Sequence, residues 1–482
     1  MTPKLRTNIR ILLVIAAGLA SAAFFYFGTG LSPIWWSLWL APIPVLAISP
    51  RLRAVPAFLL GGIAWLIGAM NQWHYVRHAI ELPLQITVLY FAAPAVVFGL
   101  GVLFVRSLLL RGSPFMASLA FPVYWVAYEY VAAISSPHST WGNLAYTQMD
   151  CLPLIQIAAI TGLWGISFIV FLFAGTAAAL LSGAGKPRQR RTLVISVGFV
   201  VCAVLVFGEW RLRSHSPAES VPVTLIAKDM PMSVYLGSEE QALELLREYA
   251  DEIRRVTPAG TQAVVLPEKI GRISESVVPE VDTLFSSAAS VRHAAIDVGL
   301  VRKTPSGAFN SARLYSADGK LQANYDKHHL IPGVEPELPG HQRIILDQSS
   351  ARWGLQICKD MDFPALSREY AVEGANLMLV PAWDFHVDGW LHSRMAVMRA
   401  VENGFALARS ARNGLLTLSD NRGRILAETA TVPGRFVSIS GILNVGPETT
   451  FYARTGDWFA WLGVAAFVVL FASTLLKRSR IA

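Results

Sequence analysis

The sequence predicts a multi-pass α-helical membrane domain of about eight transmembrane helices carrying one α/β domain. Three observations lead there. Hydrophobic residues make up 53% of the 482 and charged residues only 15%, and the mean hydropathy of +0.44 is that of a membrane protein. Apolar spans recur from the N-terminus to about Gly208 and once more at Trp458–Leu476. The intervening 240 or so residues mix short β-branched runs with amphipathic stretches.

The first span, Ile11–Phe27, follows Lys4, Arg6 and Arg10 and resembles a signal peptide, down to Ala20-Ser21-Ala22. Further apolar spans follow at once, so it reads as an uncleaved transmembrane helix. The others run Ile34–Ile48, Ala54–Met70, Leu84–Val105, Phe115–Ile134, Leu152–Leu181, Thr192–Gly208 and Trp458–Leu476. Several approach the roughly 20 apolar residues that a bilayer requires. Ile34–Ile48 is short and holds Pro42 and Pro44, which mark it as kinked or only partly inserted.

Charge sets the orientation. Lys4/Arg6/Arg10, Arg51/Arg53, Arg106/Arg111, Lys186/Arg188/Arg190/Arg191 and Lys477/Arg478/Arg480 fall on alternate connections, so eight spans place all of them on one side. By the positive-inside rule that side is the cytoplasm, and Arg211 to Tyr452 lies outside it. The opposite short connections hold only Arg77, with the interface aromatics Trp73 and Tyr75; Trp35, Trp36 and Trp39 read as a further aromatic belt. The organisation is therefore helices 1–7 over residues 1–210, an extracytoplasmic domain over 211–452, and a last helix with a basic tail over 453–482. The net charge of +8 belongs to these clusters and gives no reason to expect nucleic acid.

In the outer domain, strands are expected at Val223–Ala227, Ala263–Leu266, Ala294–Val301, Ala308–Tyr315, Leu355–Cys358, Leu377–Val380 and Leu415–Ser419. Leu243, Leu246, Ala250 and Ile253 make one apolar face of a helix over Glu240–Val256. Asp318-Gly319 and Arg422-Gly423 suit hairpin turns, and His215–Ser220 reads as a linker.

Of the cysteines Cys151, Cys202 and Cys358, only the last lies in the polar half, and none has metal-ligand or disulfide spacing. Cys358 ends the alternating stretch Trp353, Leu355, Ile357, with Asp362 and Pro364 reading as the cap region of a following helix. A cysteine so placed is either a nucleophile at a strand-to-turn junction or a small buried core residue. Two other stretches favour the nucleophile. Val264–Glu268 is a β-branched run ending on a carboxylate, and Tyr325–Glu335 carries Lys327 ahead of a Pro332-Gly333 turn. A carboxylate can take a thiol proton and an ammonium can stabilise an oxyanion, so Glu, Lys and Cys in this order match the nitrilase superfamily triad.

Eight spans with one nitrilase-type domain before the last resemble the bacterial apolipoprotein N-acyltransferase family over nearly the whole chain. The matching pieces are Asn143–Gln148, Ile160–Phe168, Pro267-Glu268, Lys327–Pro332 with Glu335, Ile357-Cys358, Met398–Gly404, Arg412-Asn413-Gly414 and Tyr452–Trp458. The resemblance implies a four-layer αββα sandwich and transfer of an acyl chain from phospholipid to the α-amine of a lipoprotein's diacylglyceryl cysteine, in the bacterial inner membrane with catalysis on the periplasmic side. It implies Glu268 as general base, Lys327 as oxyanion stabiliser, Cys358 as nucleophile forming a thioester, and Glu335 as a carboxylate that supports the lysine and positions the acceptor amine. It implies no cofactor and no metal; the partners are the donor phospholipid, the acceptor apolipoprotein and the bilayer, with the protein a monomer.

The sequence departs from the family at two places. Lys359 and Asp360 follow the cysteine where the family has an aromatic and a glutamate, and Pro381-Ala382-Trp383-Asp384-Phe385 replaces its Asn-Asp-Ala-Trp loop. Asp360 still supplies a carboxylate, and Lys359 is expected to put a second cation beside the thiolate. Alternative readings are a membrane-anchored amidase with the same triad, a multi-pass transport protein and a catalytically lapsed scaffold. The spans carry few ionisable residues, which argues against transport. His328 and His329 are expected to hydrogen-bond rather than bind metal, Glu129 is expected to be functional or a snorkelling or Tyr-bonded carboxylate, and Asp457-Trp458 to anchor the last span.

Overall fold

The computed structural model describes residues 3–214, 219–348 and 351–476. The chain divides into two compact units. One comprises Met1–Ser135, Gly142–Leu212 and Asp457–Ala482; the other comprises Ser136–Trp141 and Arg213–Gly456.

The first unit is helical. Among the described residues seven helices are long and apolar enough to cross a membrane: Asn8–Gly28, Ala54–Gln72, Leu84–Leu110, Pro114–Ser135, Leu163–Ser182, Pro187–Arg213 and Trp458–Leu476. The Ile34–Ile48 stretch forms two six-residue helices, Trp35–Leu40 and Ile43–Ile48, interrupted at Ala41-Pro42. This broken pair returns the chain across the unit. Gly18 packs on Leu60, and Gly68 packs on Ala22 and Phe25, so the first and second long helices run parallel. Gly99 meets Phe58 while Gly62 meets Ala95, so the second and third long helices run antiparallel, and so do the fourth and fifth, where Gly175 meets Ser118 and Trp164 packs on Tyr130. Basic residues gather at one end, where Arg106 donates to the carbonyls of Ser49 and Leu52 and Arg111 donates to that of Thr474.

Leu152–Leu181 is not one span. Leu152–Ile155 and Ala158–Thr161 are single turns, and Gly162, at φ +65°, breaks the helix before Leu163. Glu129 is buried and among the described residues accepts from no tyrosine; its Oε1 accepts the Leu144 N–H at 2.9 Å and so holds the Leu144–Gln148 turn. Asp457 accepts from Trp164 Nε1 at 2.7 Å, and Trp458 donates to the Ile160 carbonyl at 2.9 Å.

The second unit has thirteen strands among its described residues: β1 Glu219–Lys228, β2 Ala263–Val265, β3 Gly271–Ser274, β4 Ala295–Thr304, β5 Gly307–Tyr315, β6 Leu321–Asp326, β7 Ile345–Asp347, β8 Arg352–Leu355, β9 Leu377–Trp383, β10 Ala406–Arg412, β11 Leu415–Ser419, β12 Ile425–Ala430 and β13 Phe436–Val445. One sheet has the order β13-β1-β2-β4-β5-β6 with β3 beside β4, the other β12-β11-β10-β9-β8-β7. The centres are parallel (β1-β2-β4 and β8-β9-β10) and the edges antiparallel.

Strand alternation makes the layers. Val223, Leu225, Val265, Leu314, Trp353, Leu355, Leu377 and Leu379 face one another between the sheets, while Ile226, Val264 and Ile296 face outward onto Leu246, Tyr249 and Phe285. Helices Glu239–Val256 and Val278–Arg292 supply that outer layer, the first opened by a capping box of Ser238 with Gln241. Pro364–Val372 and Gly389–Asn403 cover the other sheet. The result is the four-layer αββα sandwich. Residues 215–218 of the expected linker lie outside the described residues, and its last two, Glu219 and Ser220, already belong to β1.

Candidate active site

The central strands of each sheet end at one edge, the usual place for a site in a parallel sheet. Glu268 follows β2 by three residues, Lys327 follows β6 directly, Cys358 follows β8 by three, and Asp384 follows β9 directly. β8 stops at Leu355, so Cys358 is not a strand residue; it opens a 3-10 turn, Cys358–Asp362. Phe363, rather than Asp362, is the N-cap residue of the next helix. The cysteine has φ +43°, a left-handed conformation costing a non-glycine residue about 1–3 kcal/mol, and such strain concentrates at functional sites.

Lys327 lies at the middle of the charge network. Its Nζ donates to Glu268 Oε1 at 2.8 Å and to Glu335 Oε2 at 2.9 Å. All three side chains are at most 3% exposed. Asn310 ties the carboxylates together, donating to Glu268 Oε1 at 2.6 Å and to Glu335 Oε1 at 3.0 Å. Burial alone would lower the lysine's pKa, but Glu268 and Glu335 overcome it and hold the ammonium charged well above its ordinary range. Glu335 is itself pulled down to about 2, because Lys327 and Lys269 outweigh its burial. Close backbone approach seats Glu268: any Cβ at Gly299 would come within 2.3 Å of the Pro267 carbonyl oxygen.

Cys358 is 6% exposed and its Sγ donates to the Trp383 carbonyl at 3.5 Å. Burial, then the Glu268 charge, pushes the thiol well above its ordinary range; Lys327 and then Arg409 pull the other way. Those two, not Lys359, are the cations that lead in stabilising a thiolate. Lys359 is buried with its Nζ on the Leu330 carbonyl at 3.1 Å.

Two expected supports are fully engaged, Glu335 with Lys327 as expected. Glu335 is filled: besides Lys327 and Asn310 it takes Lys269 at 2.8 Å and the Ile331 N–H at 2.8 Å, which leaves no lone pair for an acceptor amine. Asp360 is likewise filled by Tyr325, the Ile357 N–H, and both the N–H and Nδ1 of His329, so it fastens the nucleophile turn to the lysine loop. His329 also stacks on Phe363 with centroids 3.6 Å apart.

Two family models match the chain, the apolipoprotein N-acyltransferase N-terminal domain over residues 16–176 and the carbon-nitrogen hydrolase over residues 227–433. An apolipoprotein N-acyltransferase of Geobacter metallireducens is 28% identical over 97% of this chain and 96% of its own. The chain belongs to the apolipoprotein N-acyltransferase family. Another such relative, from Shewanella oneidensis, is 28% identical over 86% of this chain and 83% of its own. Among solved structures, an amidase from Nesterenkonia sp. aligns with 50% of this chain and 95% of its own at 22% identity and a TM-score of 0.39.

Around the expected site of this N-acyltransferase family member stand residues to which sequence reasoning assigned no role. Arg409 forms a buried pair with Asp384, NH2 to Oδ1 at 2.5 Å and NH1 to Oδ2 at 3.0 Å. Asp384 leaves no room for a side chain at Gly414, whose Cβ would fall 2.0 Å from Oδ2. Arg412 is held between the rings of Tyr235 and Trp383, 3.5 and 4.0 Å from its guanidinium carbon. Ser136–Trp141 also joins this unit: Thr140 Oγ1 donates to the Asp362 carbonyl at 2.7 Å, and Trp141 packs on His392 at 4.9 Å. The spacing of Asp384 and Arg409 carries no signal, since the pair meets only when β9 and β10 align.

Proposed function

We propose that the protein is a bacterial inner-membrane enzyme that moves one acyl chain from a phospholipid to the α-amine of a diacylglyceryl-cysteine apolipoprotein, with its α/β unit on the periplasmic side. The observation that carries this is a buried lysine bridging two carboxylates near a cysteine held in a strained turn, in a chain whose family is named for this transfer. Cys358 is the nucleophile, Glu268 the base and Lys327 the oxyanion stabiliser.

Because burial keeps the thiol protonated at rest, Glu268 takes its proton as sulfur attacks the donor ester. Oε2 of Glu268 accepts no hydrogen bond among the described residues and is the oxygen available for that proton. The tetrahedral oxyanion is stabilised by Lys327, whose charge the paired carboxylates secure. Collapse breaks the C–O bond, the proton passes from Glu268 to the leaving alcohol, and lysophospholipid departs. The amine of the acceptor then attacks the thioester carbonyl, the C–S bond breaks, and Glu268 relays the amine proton to sulfur.

Glu335 acts by holding Lys327 and not by binding the acceptor. The test is a single-turnover comparison of Glu335→Gln with the parent: the reading expects slower thioester formation. Unimpaired thioester formation with slow transfer would return Glu335 to the amine.

A further inference from the structure

The buried cations at the catalytic edge of the sheets nearly all have oxygen partners. Lys327 is shared by Glu268 and Glu335, and Lys269 by Glu335 and Glu337. Arg409 is paired with Asp384, and Lys359 donates to the Leu330 carbonyl.

Arg412 is the exception. It ends β10 and is 1% exposed. Its Nε and NH1 are buried and have no hydrogen-bond acceptor among the described residues. Its neighbours are rings, Tyr235 at 3.5 Å and Trp383 at 4.0 Å from the guanidinium carbon; their faces attract the cation without accepting its N–H bonds. The Tyr235 hydroxyl is taken by the Lys228 carbonyl and the Met230 N–H. Asp229, just past β1, does not fill the donors either: Oδ1 takes the Asn413 N–H at 2.6 Å and Oδ2 has no partner. Burial pulls this arginine below its ordinary range, whereas in Arg409 the same burial is outweighed by Asp384. A guanidinium stays charged even so, and empty buried donors are costly until an anion fills them.

One residue ties Arg412 to the nucleophile. Arg412 and Trp383 are register partners across β10 and β9. The Trp383 ring packs on the guanidinium, while its carbonyl accepts from Cys358 Sγ at 3.5 Å. One position earlier, the Ala382 carbonyl accepts the Glu268 N–H at 3.2 Å. The empty donors therefore lie a single tryptophan away from the reacting sulfur.

We infer that Arg412 is the anion subsite for the phosphodiester of the donor phospholipid in the first half-reaction, an assignment that rests on the acyl-transfer reading above. One glycerol carries both the ester and the phosphodiester, so a donor carbonyl placed at Cys358 brings its phosphate within a few bonds of the sulfur. Guanidinium donors match phosphate oxygens, and the pair neutralises a buried charge. The acceptor's α-amine arrives mainly as a cation and is repelled from the same point.

Purified full-length protein in detergent micelles is given phosphatidylglycerol or a p-nitrophenyl ester of the same fatty acid, which has no phosphate, and thioester formation is timed with each. Arg412→Gln should lower the ratio of the phospholipid rate constant to that of the p-nitrophenyl ester by roughly 10- to 100-fold, the loss of charge-assisted hydrogen bonds to the phosphate. The half-saturating phospholipid concentration should rise, and Arg412→Lys should recover part of the ratio. A structural role would slow both donors alike. A parental ratio in Arg412→Gln, or a KM raised for a lipopeptide acceptor instead, overturns the assignment. Should Arg412→Gln not fold, Arg412→Met, which keeps an apolar stem between the rings, is held to the same outcomes. A parental protein that forms no thioester from phosphatidylglycerol sinks the acyl-transfer reading first; thioester formed with an unchanged ratio in the variant sinks only this one.

Discussion

Lys327 donates to Glu268 across 2.8 Å with both side chains sealed from solvent. The two come from different strands of one sheet, the edge strand β6 and the central strand β2, so neither strand alone forms the pair. Breaking it strands a buried charge, which typically costs about 3–5 kcal/mol. Glu268→Gln keeps the shape but not the charge, and is expected to abolish turnover while lowering the thermal midpoint. The readouts are acyl transfer and the unfolding midpoint of the purified protein; activity near the parental level would remove Glu268 from the base role.

Only Cys358 among the cysteines shares a unit with Glu268 and Lys327. Cys358→Ala is therefore expected to lose acyl-enzyme and turnover, and Cys202→Ala to keep both. Radiolabelled phospholipid followed by gel analysis separates the two.

Because burial and the neighbouring Glu268 charge raise the thiol, its thiolate population grows only as pH climbs beyond the usual cysteine range near 8.5. Alkylation of Cys358 by iodoacetamide should show its midpoint above that of a free cysteine. Lys359→Met should move that midpoint less than Arg409→Met, since Arg409 is the stronger of the two. A midpoint near neutrality would mean a preformed thiolate and a different activation.

Arg409 and Asp384 are 1% and 0% exposed. Arg409→Leu alone leaves a buried carboxylate and is expected to destabilise the protein by about 3–5 kcal/mol, whereas adding Asp384→Leu should recover much of it. Chemical unfolding of the parent, both singles and the double variant measures the coupling. Additive losses would show that the pair acts separately.

If the α/β unit lies on the periplasmic side as proposed, Gln189 and Ser306 are expected on opposite faces of the membrane. Reporter fusions at these positions should differ in sidedness; equal sidedness would contradict the location of the catalytic unit outside the cytoplasm.

Most of the membrane spans were legible as long apolar runs, and the three proposed catalytic residues rest on local patterns too: a β-branched run ending on Glu268, Lys327 ahead of a Pro-Gly turn, and Cys358 closing an alternating apolar stretch. Strand β10, Ala-Leu-Ala-Arg-Ser-Ala-Arg, was not, since two arginines in seven residues read as solvent-facing. Both are buried because Asp384 takes one and two aromatic rings take the other. The edge strands β6 and β12 were missed for the opposite reason, their faces being half-polar. Proline did break Ile34–Ile48 as its sequence suggested, and that break marks a crossing made of two short helices. The saturation of Glu335 was invisible because it depends on Lys269, in the turn after Glu268 at φ +53°, and on Asn310 of β5.

Intact-mass measurement of the purified protein with phospholipid tests the central claim most directly. The expected result is a gain of one fatty acyl mass mapped to Cys358, which disappears when a diacylglyceryl-cysteine lipopeptide is added and reappears on its N-terminus. No adduct, or an adduct that leaves only as free fatty acid while the lipopeptide stays unmodified, would contradict it.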